Sequence, residues 1–377
     1  MPEPTTTPRE DAPPPPAAAS PALSPAPWPG SFPLSADYGR DVPESWLREI
    51  APVALALLLV DRSTGRNIRW CTDDYAARGE GFGFADEITA DRICGSEPVI
   101  RPRVDKRLEE QKARASAKGE VFTPAWVCNA QNNLADQSWF NSKRPIFNAE
   151  NGRTWKPTDD LTLEGCFDGR KRKPADYITL VRLEAACGEA PYLSSRYDAA
   201  TGDSIPVSRR IGLLDRKLRV ISLKARDRNQ WVRSARVALQ SLYAFEWQGD
   251  NVLLARENLL FATLEAFAAR WPDTPGLSLS VVESFASVLS WNVFQMDGIK
   301  FVVPLSCHDM APPPPPPSLS LDDAPPAPVA PLPCPGCKTG DHRLHNGVRP
   351  LVADWTKSGF EPRAVPFHEL FPAAQPR

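Results

Sequence analysis

Two groups of residues in this chain have types and spacings that could do chemistry. The first is Cys334-Pro335-Gly336-Cys337-Lys338-Thr339-Gly340-Asp341-His342-Arg343-Leu344-His345. Two thiols spaced by two, followed by two histidines, offer the soft sulfur and imidazole donors that tetrahedral zinc accepts, so Cys334, Cys337, His342 and His345 are expected as a ligand set. The two histidines are close together and the loop between the pairs is short, which crowds that geometry. A polar turn in which only the cysteine pair matters, or neither pair does, is the alternative. The second group is Leu183-Glu184-Ala185-Ala186-Cys187-Gly188-Glu189-Ala190-Pro191-Tyr192-Leu193. Its small residues follow an apolar run, Ile178, Leu180, Val181 and Leu183, that reads as a buried strand. In open α/β sheets, ligands bind just past the carboxyl ends of strands, where a turn of small residues lets the backbone approach a nucleotide-like molecule. Gly188 would give that close approach and Glu184 a negative charge. An ordinary strand-end turn is the plainer reading.

The elements that must position these residues follow in order. Leu242 to Glu246 reads as a second strand, with Glu246 at its end placed to accept hydrogen bonds from ribose hydroxyls. Before it, Val232, Ala235, Leu239 and Leu242 recur at three and four, the spacing of a helix packed on a sheet. After it, Leu253, Leu260, Leu264, Phe267 and Trp271 form a helical stripe that Pro272 stops. A further helix from about Ser280 to Ser290 leads to Trp291–Asp297. Strand, acid and amphipathic helix in this order is a repeating βα unit and favours a parallel sheet. Pro43-Glu44-Ser45-Trp46 reads as a helix start. The charged residues between Asp105 and Lys118 suit another helix, which delivers the chain to Phe122-Thr123-Pro124. There the proline restrains Thr123 to an extended conformation.

Taken together, Lys118-Gly119-Glu120-Val121-Phe122-Thr123-Pro124, the Glu184-to-Gly188 turn, Tyr243-Ala244-Phe245-Glu246 and Gln295-Met296-Asp297-Gly298 resemble a known set of motifs. They match, in order, the cofactor-binding motifs of S-adenosylmethionine-dependent DNA methyltransferases that modify the adenine amino group. The middle of the chain is similar to the small restriction-modification proteins called restriction endonuclease subunit M. The resemblance implies a Rossmann-like α/β sheet flanked by helices that binds S-adenosylmethionine. In it Thr123 and Pro124 would lie at the methionine end, Glu184, Cys187 and Gly188 beneath the cofactor, Glu246 on the ribose and Asp297 on the adenine. It also implies DNA as partner, with a second restriction-modification subunit as a further candidate. The family's catalytic motif, a polar residue followed by two prolines and an aromatic, does not follow Asp297. The chain gives Ser306-Cys307-His308-Asp309-Met310-Ala311 and then six prolines. The match therefore covers cofactor binding, from about Lys118 to Asp297, and leaves the catalytic residues unassigned. A non-catalytic cofactor-binding or DNA-binding subunit is the alternative. A nuclease ranks last, because no pair of acids followed by Glu-x-Lys stands in the body.

Composition sets the limits. Of the 42 prolines in 377 residues, twelve fall between Pro2 and Pro33 and twelve between Pro312 and Pro335. Such segments cannot support a packed core. The expected organisation is a disordered tail over 1–34, a mixed helical region over 35–117, a cofactor-binding domain over 118–310, a Pro-rich linker over 311–333 and a small segment over 334–377. The net charge of -2 is not that of a strongly basic DNA-binding chain, so any DNA contact must come from local patches. Seven basic residues between Arg101 and Lys118, and the run Arg170-Lys171-Arg172-Lys173, are such patches, with a solvated helix face and a charged loop as the alternatives. The aromatics from Trp126 to Phe167 could stack a flipped-out base, but core packing is favoured. Eight cysteines in a chain this long do not suggest a small disulfide-framed secreted domain. There is no charged start followed by an apolar core, and the longest apolar run, Ala51 to Val60, is too short to span a bilayer. A cytoplasmic protein without a membrane span is expected.

Overall fold

The computed structural model describes residues 25–118, 123–167, 172–311, 330–356 and 362–370. Gly119 to Phe122, Arg170, Lys171 and most of both Pro-rich segments lie outside them.

The helices run in the order α1 (Glu44–Ile50), α2 (Pro52–Leu59), α3 (Ala90–Ile93), α4 (Leu108–Lys118), α5 (Ala125–Phe140), α6 (Asp160–Gly165), α7 (Pro174–Ile178), α8 (Leu213–Lys224), α9 (Arg228–Gln240), α10 (Gly249–Arg270), α11 (Leu279–Asn292) and α12 (Pro335–Thr339). Interleaved with them are β1 (Ser31–Pro33), β2 (Asn148–Asn151), β3 (Thr154–Pro157), β4 (Arg182–Ala185), β5 (Leu242–Glu246), β6 (Gly276–Ser278), β7 (Val293–Gln295), β8 (Leu351–Asp354) and β9 (Arg363–Pro366). The class is mixed α/β. Its central sheet among the described residues has three strands in the order β4-β5-β7. Both pairings are parallel, with Ala185 opposite Phe245 and Phe245 opposite Phe294. The other sheets are two-stranded and antiparallel: β1 with β6, β2 with β3, β8 with β9.

Parallel strands need long crossovers, and here helices supply them. The pair α8 and α9 leads from β4 to β5, and α10 and α11 lead from β5 to β7. Helix α10 is the centre of the core, every residue from Gly249 to Ala268 being buried. Such a helix presents apolar side chains all round rather than one stripe. Its polar residues are internally paired. Arg256 donates to the carbonyls of Val293, Leu58, Val60 and Ser290, and Glu265 is held by Arg196 and Arg210. One hydrophobic core runs from Phe32 through α2, Trp70 and α8 to Val293, so residues from 35–117 and from the sheet region share it. The ordered body begins before Ser35, since Ser31–Pro33 pairs with β6 and Phe32 is fully buried.

The apolar run expected as a buried strand divides in two. Residues up to Ile178 form α7, started by Pro174 in its first turn, and the strand begins at Arg182. Val181, just before the strand, and Leu183 are 64% and 44% exposed, two residues apart and so on the same, uncovered side of the chain. Periodicity alone does not separate a short buried helix from a strand. The aromatics follow the bland reading: Trp139, Phe140, Phe147 and Phe167 pack ring against ring around Tyr177. Among the described residues no helix is long and apolar enough to cross a membrane.

Candidate functional site: a sheet edge and a cysteine cluster

At the carboxyl edge of the central sheet, the chain leaves β4 through a turn in which Ala186, Gly188 and Ala190 all have positive φ, at 54°, 52° and 60°. Two of these are alanines, for which the left-handed region is uncommon and costs about 1 kcal/mol or more. Hydrogen bonds to the next strand hold the turn in place. Cys187 N–H donates to the Phe245 carbonyl at 2.9 Å, and Gly188 N–H donates to Glu246 Oε2 at 2.9 Å. The other oxygen of Glu246 accepts from Trp247 N–H at 2.8 Å. Glu246 thus ties the ends of β4 and β5 together. Cys187 is buried, and burial first of all pushes its thiol well above the usual range, with Glu184 and Glu246 adding to the shift.

Glu184 accepts from Tyr192 N–H through Oε1, while its buried Oε2 has no partner among the described residues. Burial pushes its carboxyl up to about 8, partly offset by the backbone N–H groups of Tyr192 and Leu193. Thr123 and Pro124 lie at the start of α5. The Thr123 carbonyl lies 3.7 Å from Cys128 Sγ, and Cys128 and Tyr192 belong to one small apolar cluster. A side chain built on Gly188 would meet nothing within 4 Å. Glu184, Cys187, Gly188 and Glu246 therefore gather along one sheet edge, and Thr123 is linked to them only through Cys128 and Tyr192. Asp297 lies just past β7 at the same edge, with Met296 N–H bonded to the Glu246 carbonyl. Its Oδ1 is occupied by the N–H groups of Ile299 and Lys300, which makes it the pivot of a tight turn.

A cleft of about 530 Å³ is lined by Asp74, Arg78, Arg101, Lys106, Arg107 and Arg114, among others. The basic stretch expected as a solvated helix face or a phosphate patch divides, part of it turning inward. Arg114, 2% exposed, is turned inward onto Asp250 at 3.0 Å and Gln248 at 2.8 Å, and Lys106 reaches Asp250 at 3.2 Å. Burial alone would raise the Asp250 carboxyl, but Lys106 and Arg114 outweigh it and hold the group well below the carboxylate range. Arg78, Arg101 and Arg107 remain exposed at the rim.

Sequence spacing placed four ligands in the C-terminal cluster, and the structure replaces one of them. Cys334, Cys337 and His345 come together with Cys307, their donor atoms all lying within 4.8 Å of one another. His342 is not among them. It lies in a short 3₁₀ turn, His342–Leu344, and its ring packs against Phe301 with centroids 5.4 Å apart. The short loop that crowded a two-histidine set is relieved by taking the fourth donor from another part of the chain. Cys307 escaped notice because it precedes the Pro-rich segment and forms no local spacing with Cys334. Burial pushes the Cys334 thiol up, but hydrogen bonds from Asn346, Cys337 and Gly336 N–H groups and from His345 outweigh this and bring it to about 6. The cluster can hold a metal ion.

No family model, curated protein or solved structure matches the chain.

Proposed function

We propose that the chain binds S-adenosylmethionine at the carboxyl edge of β4-β5-β7, as the core of a Rossmann-like methyltransferase fold. In this reading it serves as the subunit of a restriction-modification system that methylates the adenine amino group in DNA, alone or with a partner chain. The observation that carries the reading is the strained turn at Ala186, Gly188 and Ala190, set at the ends of parallel strands beside Glu184 and Glu246. Strain in a turn of this kind is retained where it serves a site, and the ends of parallel strands are where α/β sheets bind nucleotides.

The residues fit such a group in two respects. Gly188 leaves open space above the turn, and the unpartnered Oε2 of Glu184 can accept a hydrogen bond from an ammonium or amide group. Thr123 and Pro124 would flank the methionine end, Glu246 the ribose and Asp297 the adenine. When bound, the cofactor supplies an electrophilic methyl group on sulfonium sulfur. The chain's own part is to hold it: Glu184 offers a carboxyl oxygen, the Gly188 backbone permits close approach, and Glu246 fixes that backbone through its N–H. In this reading the exposed arginines Arg78, Arg101 and Arg107 would meet DNA phosphates, which are read by charge rather than by sequence. Zinc at the cysteine cluster is the second bound group of this reading and takes no part in methyl transfer.

A second reading, a cofactor-binding or DNA-binding subunit without catalysis, is favoured by one observation. After Asp297 the chain turns back at once, with Phe301 N–H on the Asp297 carbonyl and Asp297 paired with Val302, and runs to Cys307. Binding of S-adenosylmethionine measured by calorimetry, beside transfer of labelled methyl to unmethylated DNA, separates the readings. Gly188→Val fills the open space and is expected to weaken cofactor binding at least tenfold. Label in DNA supports the enzyme, binding without label supports the partner subunit, and no binding to the wild-type chain sinks both.

A further inference from the structure

We infer that Cys307, Cys334, Cys337 and His345 hold one zinc ion in a closed Cys₃His site, and that the ion fastens together the two chain segments flanking residues 312–329. This inference does not depend on the methyltransferase reading.

The distances carry it. Around tetrahedral zinc, sulfur at about 2.3 Å and nitrogen at about 2.0–2.1 Å stand roughly 3.5–3.6 Å from each other. The three sulfurs lie 3.5, 3.7 and 3.6 Å from His345 Nδ1. Hydrogen bonding does not account for this arrangement. A ring nitrogen of neutral imidazole either donates one proton or accepts through one lone pair, so it serves one of the three thiols and leaves the others unmatched. A single cation at the centre satisfies all four donors at once. The cysteines are unpaired with one another, which keeps every sulfur free to ligate.

The backbone is built for the same close approach. A Cβ on Gly336 would stand 2.5 Å from His345 Cγ, and one on Gly347 would stand 3.1 Å from Cys307 Sγ. Asn346 N–H points at Cys334 Sγ at 3.4 Å, the kind of second contact that steadies a metal-bound thiolate. With four protein donors there is no open position for water or substrate, which is the mark of a structural site.

The fastening follows from where the donors stand. Cys307 lies on the segment before 312–329 and the other three on the segment after it. Beside the cluster, the two segments are joined by paired backbone bonds between Met310 and Leu332 at 2.7 and 2.9 Å, and by bonds between His308 and Asn346. Further bonds run from Val303 N–H to the Val348 carbonyl, from Val348 N–H to Ser306 Oγ and from Arg349 to the Phe301 carbonyl, and to these the ion adds a link through four donors.

The test is metal analysis of the full chain purified without chelator. About one zinc per chain is expected in the wild type and in His342→Ala, and less than about a fifth of that in Cys307→Ser and His345→Ala. Because a ligand variant can fail by misfolding, cobalt is also exchanged into the wild-type chain. Intense thiolate-to-metal charge transfer with tetrahedral visible bands is expected. Zinc retained in Cys307→Ser but lost in His342→Ala, a folded wild-type chain without metal, or an octahedral cobalt spectrum would each overturn the site.

Discussion

Gly336 sits so close to the imidazole of His345 that any side chain would collide with it. Gly336→Ala is therefore expected to weaken zinc binding at least tenfold in competition with a chromogenic chelator, while Gly340→Ala, whose Cβ meets nothing, leaves it within about twofold. Some strain follows from the φ of +78° at Gly340, so the control loses a little stability without losing metal. The same scale separates what sequence reveals of a site from what it hides. Cys334, Cys337 and His345 were legible because α12 and the turn after it keep them local. Cys307 was not, since its contact crosses the Pro-rich segment, and no spacing rule spans such a gap. At the sheet edge, Glu184, Gly188 and Glu246 were legible as strand-end residues. That Glu246 spends its carboxylate on backbone N–H groups depends on the exact path of the turn and is not written in residue types.

Helix α10 shows why some elements are read easily and others are not. The strand β5 and the helix α11 follow the expected ranges closely, because apolar spacing is strong when one element packs on a sheet, whereas the single helix expected before β5 is two, α8 and α9, and Leu242 of its stripe already belongs to β5. The full burial of α10 goes beyond its leucine stripe: Arg256 and Glu257 look like surface residues in sequence but are buried. Arg256 donates to four carbonyls, so Arg256→Leu strands them and is expected to cost about 3 kcal/mol in urea unfolding. Glu257 from α10 and Glu44 from α1 share a buried acidic site. Burial raises both, Glu44 to about 8, with Asp41 raising both further and Arg196 pulling Glu257 back. The native state therefore holds protons that the unfolded state has released above its ordinary value of 4.5. Stability from this pair is present below that value and is lost as pH rises towards about 8. Glu257→Gln should flatten the fall and raise stability at pH 8 by on the order of 1–2 kcal/mol, as read by denaturation at a series of pH values. A fall of unchanged slope would show that the pair titrates elsewhere.

For the molecule as a whole, the pairing of Met310 with Leu332 means that the segment between them leaves and returns at one place. Replacing residues 312–329 by a linker of about four residues is expected to keep zinc and to shift Tm by less than about 2 °C in calorimetry, since shortening a loop costs little when its ends already meet. A loss of more than about 5 °C would show that the segment contributes to the core. The shared core between α2, α8, α10 and α11 was not legible in the domain boundaries, because composition marks where chains cannot fold rather than which folded parts merge. The burial of α10 has a further consequence for how the protein breathes. Amides with no solvent-facing side exchange their hydrogens only when the whole structure opens, whereas the two-stranded β8–β9 ribbon opens once its ties to the body, Tyr243 Oη on the Ala353 carbonyl, Leu351 N–H on Ser63 Oγ and the packing of Val352, are released. Hydrogen exchange along α10 would therefore read the global free energy of unfolding directly, and exchange at β8–β9 would read the smaller cost of detaching the C-terminal ribbon.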